Sequence, residues 1–281
     1  MIDPSLFENL PLIADGDPLH GLESPGPSLP EAEVLEAPGK VQARHRAYAK
    51  AGARVLRTLT SGADPEVLAR NGLSERGEAI HVSGHALARG ALETPGAIMA
   101  PFRPPILPAN ESQSVAPNAI DWERHYGERI VYLSDAGVDF FVLEHFDREK
   151  DANILIRLIN TISDAPVMGL LRNRVAGRNP GTPPLRETAF RLAEAGADAL
   201  GLSCASPRDD LAACLESLAA PGLPLAVLAA GHTPDGANLD PQEFAARIAP
   251  LARDGVSILG GCCGTSPAHI AALASAVYLR D

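Results

Sequence analysis

A chain of 281 residues with 46% apolar and 21% charged side chains has the balance of a folded globular protein, which excludes a disordered or fibrous chain. Its formal net charge of −11, with no basic cluster, excludes binding through phosphate neutralisation, so no nucleic-acid partner is expected. No run reaches the ~18 apolar residues that span a bilayer. The opening MIDPSLFENL has no basic region ahead of an apolar stretch, and a cytoplasmic protein without a membrane partner is expected.

Taken in chain order, short apolar runs of strand character recur at LPLIAD (10–15), ARVLRT (53–58), AIMAPF (97–102), FFVLEH (140–145), PVMGLL (166–171), ALGLSC (199–204), PLAVLA (224–229) and SILGGC (257–262). Segments of helical period separate them, among them residues 65–92, 186–197, 209–220, 241–255 and 266–279. Several open on Ser, Asp or Pro and close on Gly, as at Gly196 and Gly255. Apolar runs alternating with helices imply parallel strands joined by crossovers, and eight such units predict a (β/α)8 TIM barrel in one domain over residues 1–281. An open doubly wound sheet would carry a Gly-rich fingerprint after its first strand, and ADGDPLHGLE has none. Two stretches rich in Pro, Gly and polar residues, 17–40 and 103–118, read as irregular loop insertions after the first and third strands. In such a barrel these loops lie on the active-site face, where they cover a substrate or are mere surface insertions.

The chain holds four cysteines, too few for a disulfide framework. Cys204 ends the sixth strand, and the adjacent Cys262 and Cys263 end the eighth, so a barrel raises all three on one rim. Three converging thiolates with a fourth position open match a catalytic zinc site. Neighbours on a regular strand face opposite ways, so the two can share an ion only if the backbone bends, which Gly260, Gly261 and Gly264 permit. The competing reading is a vicinal redox pair, which gives Cys204 no role. Cys214, inside a helical segment, reads as a core residue.

The segment ILGGCCGTSPAHIAAL resembles the carboxy-terminal signature of the zinc-dependent homocysteine S-methyltransferases, with GLSC in the place of the earlier third cysteine. GARVLRTLTSGADPEVLARNGL (52–73) and AGVDFFVLEHF (136–146) extend the resemblance, which runs from about residue 10 to the end. It implies that Cys204, Cys262 and Cys263 bind Zn2+, which activates the thiol of homocysteine or a close analogue for attack on a methyl donor, giving methionine. It also implies that Asp15 and Glu144 receive the substrate's ammonium group, with Thr58, Thr60 and Ser203 in the substrate shell.

The chain departs from that pattern in three places. DGDPLHGLE replaces the usual Gly-Thr turn after Asp15, Leu59 stands between Thr58 and Thr60 where the family carries Asn, and Ser203 takes the place of an Asn. The donor stays open among S-methylmethionine, a betaine-like compound, a folate and a methyl group on a separate corrinoid protein. A divergent, non-catalytic zinc barrel that binds a thiol compound or a methyl-carrier partner is the alternative. Trp122 and Tyr126 are candidates for an aromatic donor pocket or for helix packing, and His145 and His232 for acid, base or carboxylate-binding roles. His81 and His85, four apart on a helix, lack the Glu that a zinc-protease motif needs.

Overall fold

The computed structural model describes residues 11–19, 29–105, 120–172, 184–207, 211–233 and 235–278. Among them eight strands run in parallel: β1 (Leu12–Ile13), β2 (Val55–Arg57), β3 (Ala97–Phe102), β4 (Phe140–Phe146), β5 (Val167–Arg172), β6 (Ala199–Ala205), β7 (Leu225–Ala229) and β8 (Val256–Gly261). From β2 to β8 each strand pairs with the next, and β1 pairs with β8. A parallel bridge between Ala14 and Val55 joins the remaining ends, supported by Asp15 N–H donating to Val55 O at 2.9 Å and Arg54 N–H to Ile13 O at 2.7 Å. The strands thus form the (β/α)8 barrel that the alternating runs predict.

Alternation along the strands builds two apolar layers. Phe140 and Val142 of β4 fill the barrel lumen with Val55, Met99, Met168 and Leu228, whereas Phe141 and Leu143 face the helices. Those helices are α1 (Glu33–Glu36), α2 (Pro38–Lys50), α3 (Pro65–Arg70), α4 (Gly77–Arg89), α5 (Trp122–Asp135), α6 (Glu149–Ile162), α7 (Leu185–Glu194), α8 (Leu211–Leu218), α9 (Pro241–Ile248) and α10 (Pro267–Tyr278). Side-chain caps start three of them: Asp64 accepts from Glu66 N–H, Asp121 from Arg124 N–H, and Asp240 from Gln242 and Glu243 N–H. Trp122 and Tyr126 are packing residues of α5, their rings stacked at 5.7 Å, with Tyr126 edge-on to Phe102 at 5.4 Å.

Two local expectations need correction. Residues 17–40 are not irregular throughout: from Pro30 they form a 3-10 turn (Pro30–Ala32), α1 and the start of α2. Pro30 and Pro38 sit in first turns, where a missing N–H is harmless, and Val34 and Val41 pack with Leu59, Leu68 and Ile80. Composition counts such prolines as breakers. The helical stretch 65–92 is divided, because Gly72 takes φ 69° and a 3-10 turn follows before α4. Residues 20–28 and 106–119, within or beside the two insertions, lie outside the described residues. Among the described residues no helix is long and apolar enough to cross a membrane.

A buried ion pair fastens α5 to the start of α3, with His125 Nδ1 2.7 Å from Asp64 Oδ2. Burial pushes the Asp64 carboxyl up, but the hydrogen bond and charge of His125 outweigh it and hold Asp64 below the ordinary value of 3.8. The same hydrogen bond, against burial, raises His125 above 6.5. The depressed Asp64 stabilises the fold above pH 3.8 and loses that contribution as pH falls; the raised His125 contributes fully below pH 6.5 and loses it as pH rises through its folded value. The pair's own contribution to the melting temperature is therefore expected to be largest in mild acid and to decline on the alkaline side. In His125→Asn that alkaline decline should flatten, with about 2 kcal/mol lost in mild acid. Calorimetry across pH checks this, and an unchanged slope in the variant would remove the pair from the pH response.

Candidate metal centre

Three cysteine sulfurs meet at the C-terminal mouth of the barrel. Cys204 Sγ lies 2.9 Å from Cys262 Sγ and 3.2 Å from Cys263 Sγ, and the two neighbours are 3.9 Å apart. His145 Nε2 stands 3.9 Å from Cys262 Sγ, and ligand atoms of all four residues lie within 4.8 Å of one another. Cys214 is outside this cluster, half-buried on α8 against the outer apolar layer, as its helical setting predicts.

Irregular strand ends bring these side chains together. In β6, Ser203 pairs with Leu228 and Ala205 with Ala229, so Cys204 is an extra, bulged residue at φ 48°. The register of β4 breaks likewise between Leu143 and Phe146, and His145 takes φ 65°. Left-handed backbone in a non-glycine residue costs on the order of 1–3 kcal/mol and persists where surrounding contacts impose it. Ser203 supplies one such contact: its buried Oγ accepts the His145 N–H at 3.0 Å, tying one bulge to the other.

Cys262 and Cys263 follow the last residue of β8 in a tight turn. Thr265 N–H and Thr265 Oγ1 both donate to Cys262 O, at 3.1 and 2.6 Å, and Gly264 takes φ 78°. Cys262 N–H donates to Ala229 O at 2.7 Å, and Gly231 N–H donates to Cys263 O at 2.8 Å. The loop after β1 grips the same turn, with Asp17 Oδ2 accepting the Gly264 N–H at 3.0 Å and Asp17 N–H donating to Thr265 Oγ1 at 3.0 Å.

The donor set suits a metal cation. Hydrogen bonding from Cys204 holds Cys263 down to about 3 and Cys262 below its usual value, while Cys204 is pushed far up as the thiol that keeps the proton. A shared proton supplies only part of the positive charge that a divalent ion would bring. Sulfurs at about 2.3 Å from tetrahedral zinc lie about 3.8 Å apart. The Cys262–Cys263 edge already has that length at 3.9 Å, whereas Cys204 has to draw back from both.

A buried ionic cluster adjoins the thiols, centred on Arg57, which sequence reading had not singled out. Arg57 Nε and N–H donate to the two oxygens of Asp15 at 2.9 and 2.8 Å, and Arg57 Nη1 donates to Glu144 Oε1 at 3.0 Å. Its Nη2 donates to Asp15 O at 3.2 Å, to Gly16 O, and to Gly261 O at 2.6 Å. Burial pulls the guanidinium pKa down, yet Asp15, Glu144 and Cys262 together leave it well above the ordinary value. Arg57 was open to detection, since it lies two residues beyond Val55, which lines the lumen, and a charge there has to be paired. Thr58 and Thr60 are buried beside it, their hydroxyls 2.7 Å apart. Asp15 and Glu144 thus stand near the barrel mouth as the sequence suggests, but both are already bonded to a cation.

Cysteine sulfurs gathered at the C-terminal mouth of a (β/α)8 barrel, next to buried carboxylates, are the donor set of a metal-dependent barrel enzyme. Comparison with known proteins gives the family. The family model described as homocysteine S-methyltransferase matches residues 12–277, and the chain belongs to that zinc-dependent family. Betaine–homocysteine S-methyltransferase 1 of Mus musculus is 28% identical over 299 residues, covering 94% of this chain and 71% of that protein. An S-methylmethionine–homocysteine S-methyltransferase of Rattus norvegicus is 27% identical over 271 residues, covering 87% and 71%. The metallated form of the homocysteine methyltransferase MmuM from Escherichia coli shares the barrel, with a TM-score of 0.78 at 23% identity over 96% of this chain and 98% of that one.

Proposed function

We propose that Cys204, Cys262 and Cys263 hold a zinc ion and that the enzyme methylates the thiol of homocysteine, giving methionine. The observation that carries this reading is the convergence of three sulfurs from two strand ends, achieved by a bulge and a turn. Bound zinc lowers the pKa of a thiol, so that a thiolate stands at neutral pH. The three cysteine thiolates add negative charge around that sulfur and keep it nucleophilic. Glu144 receives the substrate's ammonium, and the linked hydroxyls of Thr58 and Thr60 keep one O–H for its carboxylate. Ser203 acts through His145, whose backbone it holds. The substrate sulfur forms a bond to the donor's methyl carbon as the bond from that carbon to the donor breaks, and the demethylated donor leaves with the bonding pair.

The donor is a small onium compound. Two relatives are named for betaine and S-methylmethionine, whose methyl groups sit on positively charged nitrogen and sulfur. A thiolate-rich site attracts such a cation, and transfer neutralises its charge. A reducing, cytoplasmic setting keeps the thiols available. The test is methionine formation by zinc-loaded protein from homocysteine with betaine, S-methylmethionine, a methylfolate or a methylated corrinoid. Turnover with one of the first two is expected. Turnover with only the last two would replace the onium donor, and tight homocysteine binding with no turnover on any donor would mark a non-catalytic thiol-binding barrel.

A further inference from the structure

We infer that Arg57 sets the amino-acid specificity of this site as a positioning residue: it occupies Asp15, and it holds Glu144 so that a single carboxylate oxygen, Glu144 Oε2, receives the substrate's ammonium. The inference rests on the homocysteine reading above and assigns Asp15 a different role from the one the family resemblance implies.

The guanidinium is fully buried, and each of its three nitrogens is hydrogen-bonded. Both oxygens of Asp15 accept from Arg57, one from Nε and one from the backbone N–H, which leaves this nearly inaccessible carboxylate engaged edge-on. Glu144 differs. Its Oε1 accepts from Arg57, while its Oε2 is buried without a hydrogen-bond partner. That oxygen lies 3.9 Å from His145 Nε2, which itself lies 3.9 Å from Cys262 Sγ, so the unsatisfied acceptor is on the sulfur side of the cluster. In homocysteine four bonds separate the thiol sulfur from the ammonium nitrogen, a reach of about 5 Å. A substrate whose sulfur sits among the cysteines can therefore present its ammonium to Glu144.

Charge allocates the partners in the same way. Asp15 faces two buried cations, Arg57 by direct hydrogen bonds and Arg44 through its charge, whereas Glu144 is paired with Arg57 through one oxygen only, which leaves Glu144 the less compensated carboxylate. Arg57 also donates to Gly261 O, directly before Cys262, so the same side chain braces the ammonium subsite against the cysteine turn.

The test compares kcat/KM for homocysteine with that for 4-mercaptobutanoate, which keeps the thiol and carboxylate but lacks the amine. Zinc content is read on the same samples. Wild-type protein is expected to favour homocysteine at least about a hundredfold, because a buried acceptor is left unpaired by the analogue. Glu144→Gln should abolish most of that preference. Arg57→Gln should reduce it about tenfold through KM for homocysteine, with 4-mercaptobutanoate little affected. Asp15→Asn should keep the preference within about threefold. A preference lost in Asp15→Asn as fully as in Glu144→Gln would make Asp15 a direct contact and overturn the assignment, as would a preference unmoved in Arg57→Gln. Where a variant does not fold, calorimetric binding of the two thiols to wild-type protein still decides: equal affinity overturns the ammonium subsite, and tighter homocysteine binding supports it. Binding of neither thiol would instead overturn the homocysteine reading itself.

Discussion

Cys204→Ser is expected to lower homocysteine methylation at least about a hundredfold while leaving a cooperatively unfolding barrel. Replacing groups that merely support a metal ligand already costs about 10–100-fold in affinity or activity, so loss of a ligand should cost more. Serine is nearly isosteric, but its hydroxyl does not ionise near neutral pH and is a harder donor than a thiolate. The backbone at Cys204 is set by the bulge between Ser203 and Ala205, and its side chain is only half-buried, so the barrel has little reason to depend on the sulfur. Steady-state assays alongside thermal unfolding check both halves. Retained activity would place the chemistry elsewhere.

Gly261→Ala is expected to destabilise the protein by about 2–4 kcal/mol and to weaken metal binding with it. A methyl group on Gly261 would stand 2.2 Å from Thr265 Oγ1 and 3.0 Å from Gly16 Cα. Thr265 cannot simply turn away, because its fully buried hydroxyl donates to Cys262 O and accepts the Asp17 N–H. The substitution therefore reaches the cysteine turn through the residue that closes it. Gly39, near the start of α2, is the matched control: a methyl there meets nothing within 4 Å. Gly39→Ala is expected to stabilise by about 0.5 kcal/mol through helix propensity and the unfolded chain. Urea denaturation of the two variants separates a local clash from a general intolerance of alanine.

The barrel was legible because apolar runs and helical periods alternate with little else between them. Glu144 stood out by its strand-ending place and the family resemblance, and it also continues the lumen parity of Phe140 and Val142. The place of His145 beside the thiols was not legible, because strict alternation turns the residue after an inward Glu144 away from the lumen, and only the break in β4 register brings it back. Cys204 presents the same difficulty for alternation, since it follows Ser203 directly: its strand-end place on the barrel rim selected it, and the bulge that turns it inward was not legible. Arg57 could have been read from parity with Val55, but nothing local announces that its partners are 42 and 87 positions away. Helices α1 and α2 were hidden by their prolines, which are breakers in composition and good starters at a first turn.

The measurement that bears most directly on the central claim is the metal content of freshly purified, reduced protein by mass spectrometry, alongside Cys204→Ser prepared identically. A three-thiolate centre predicts about one zinc per wild-type chain and a sharp fall in the variant. Wild-type protein without zinc, or a variant that retains as much as wild type, would contradict it.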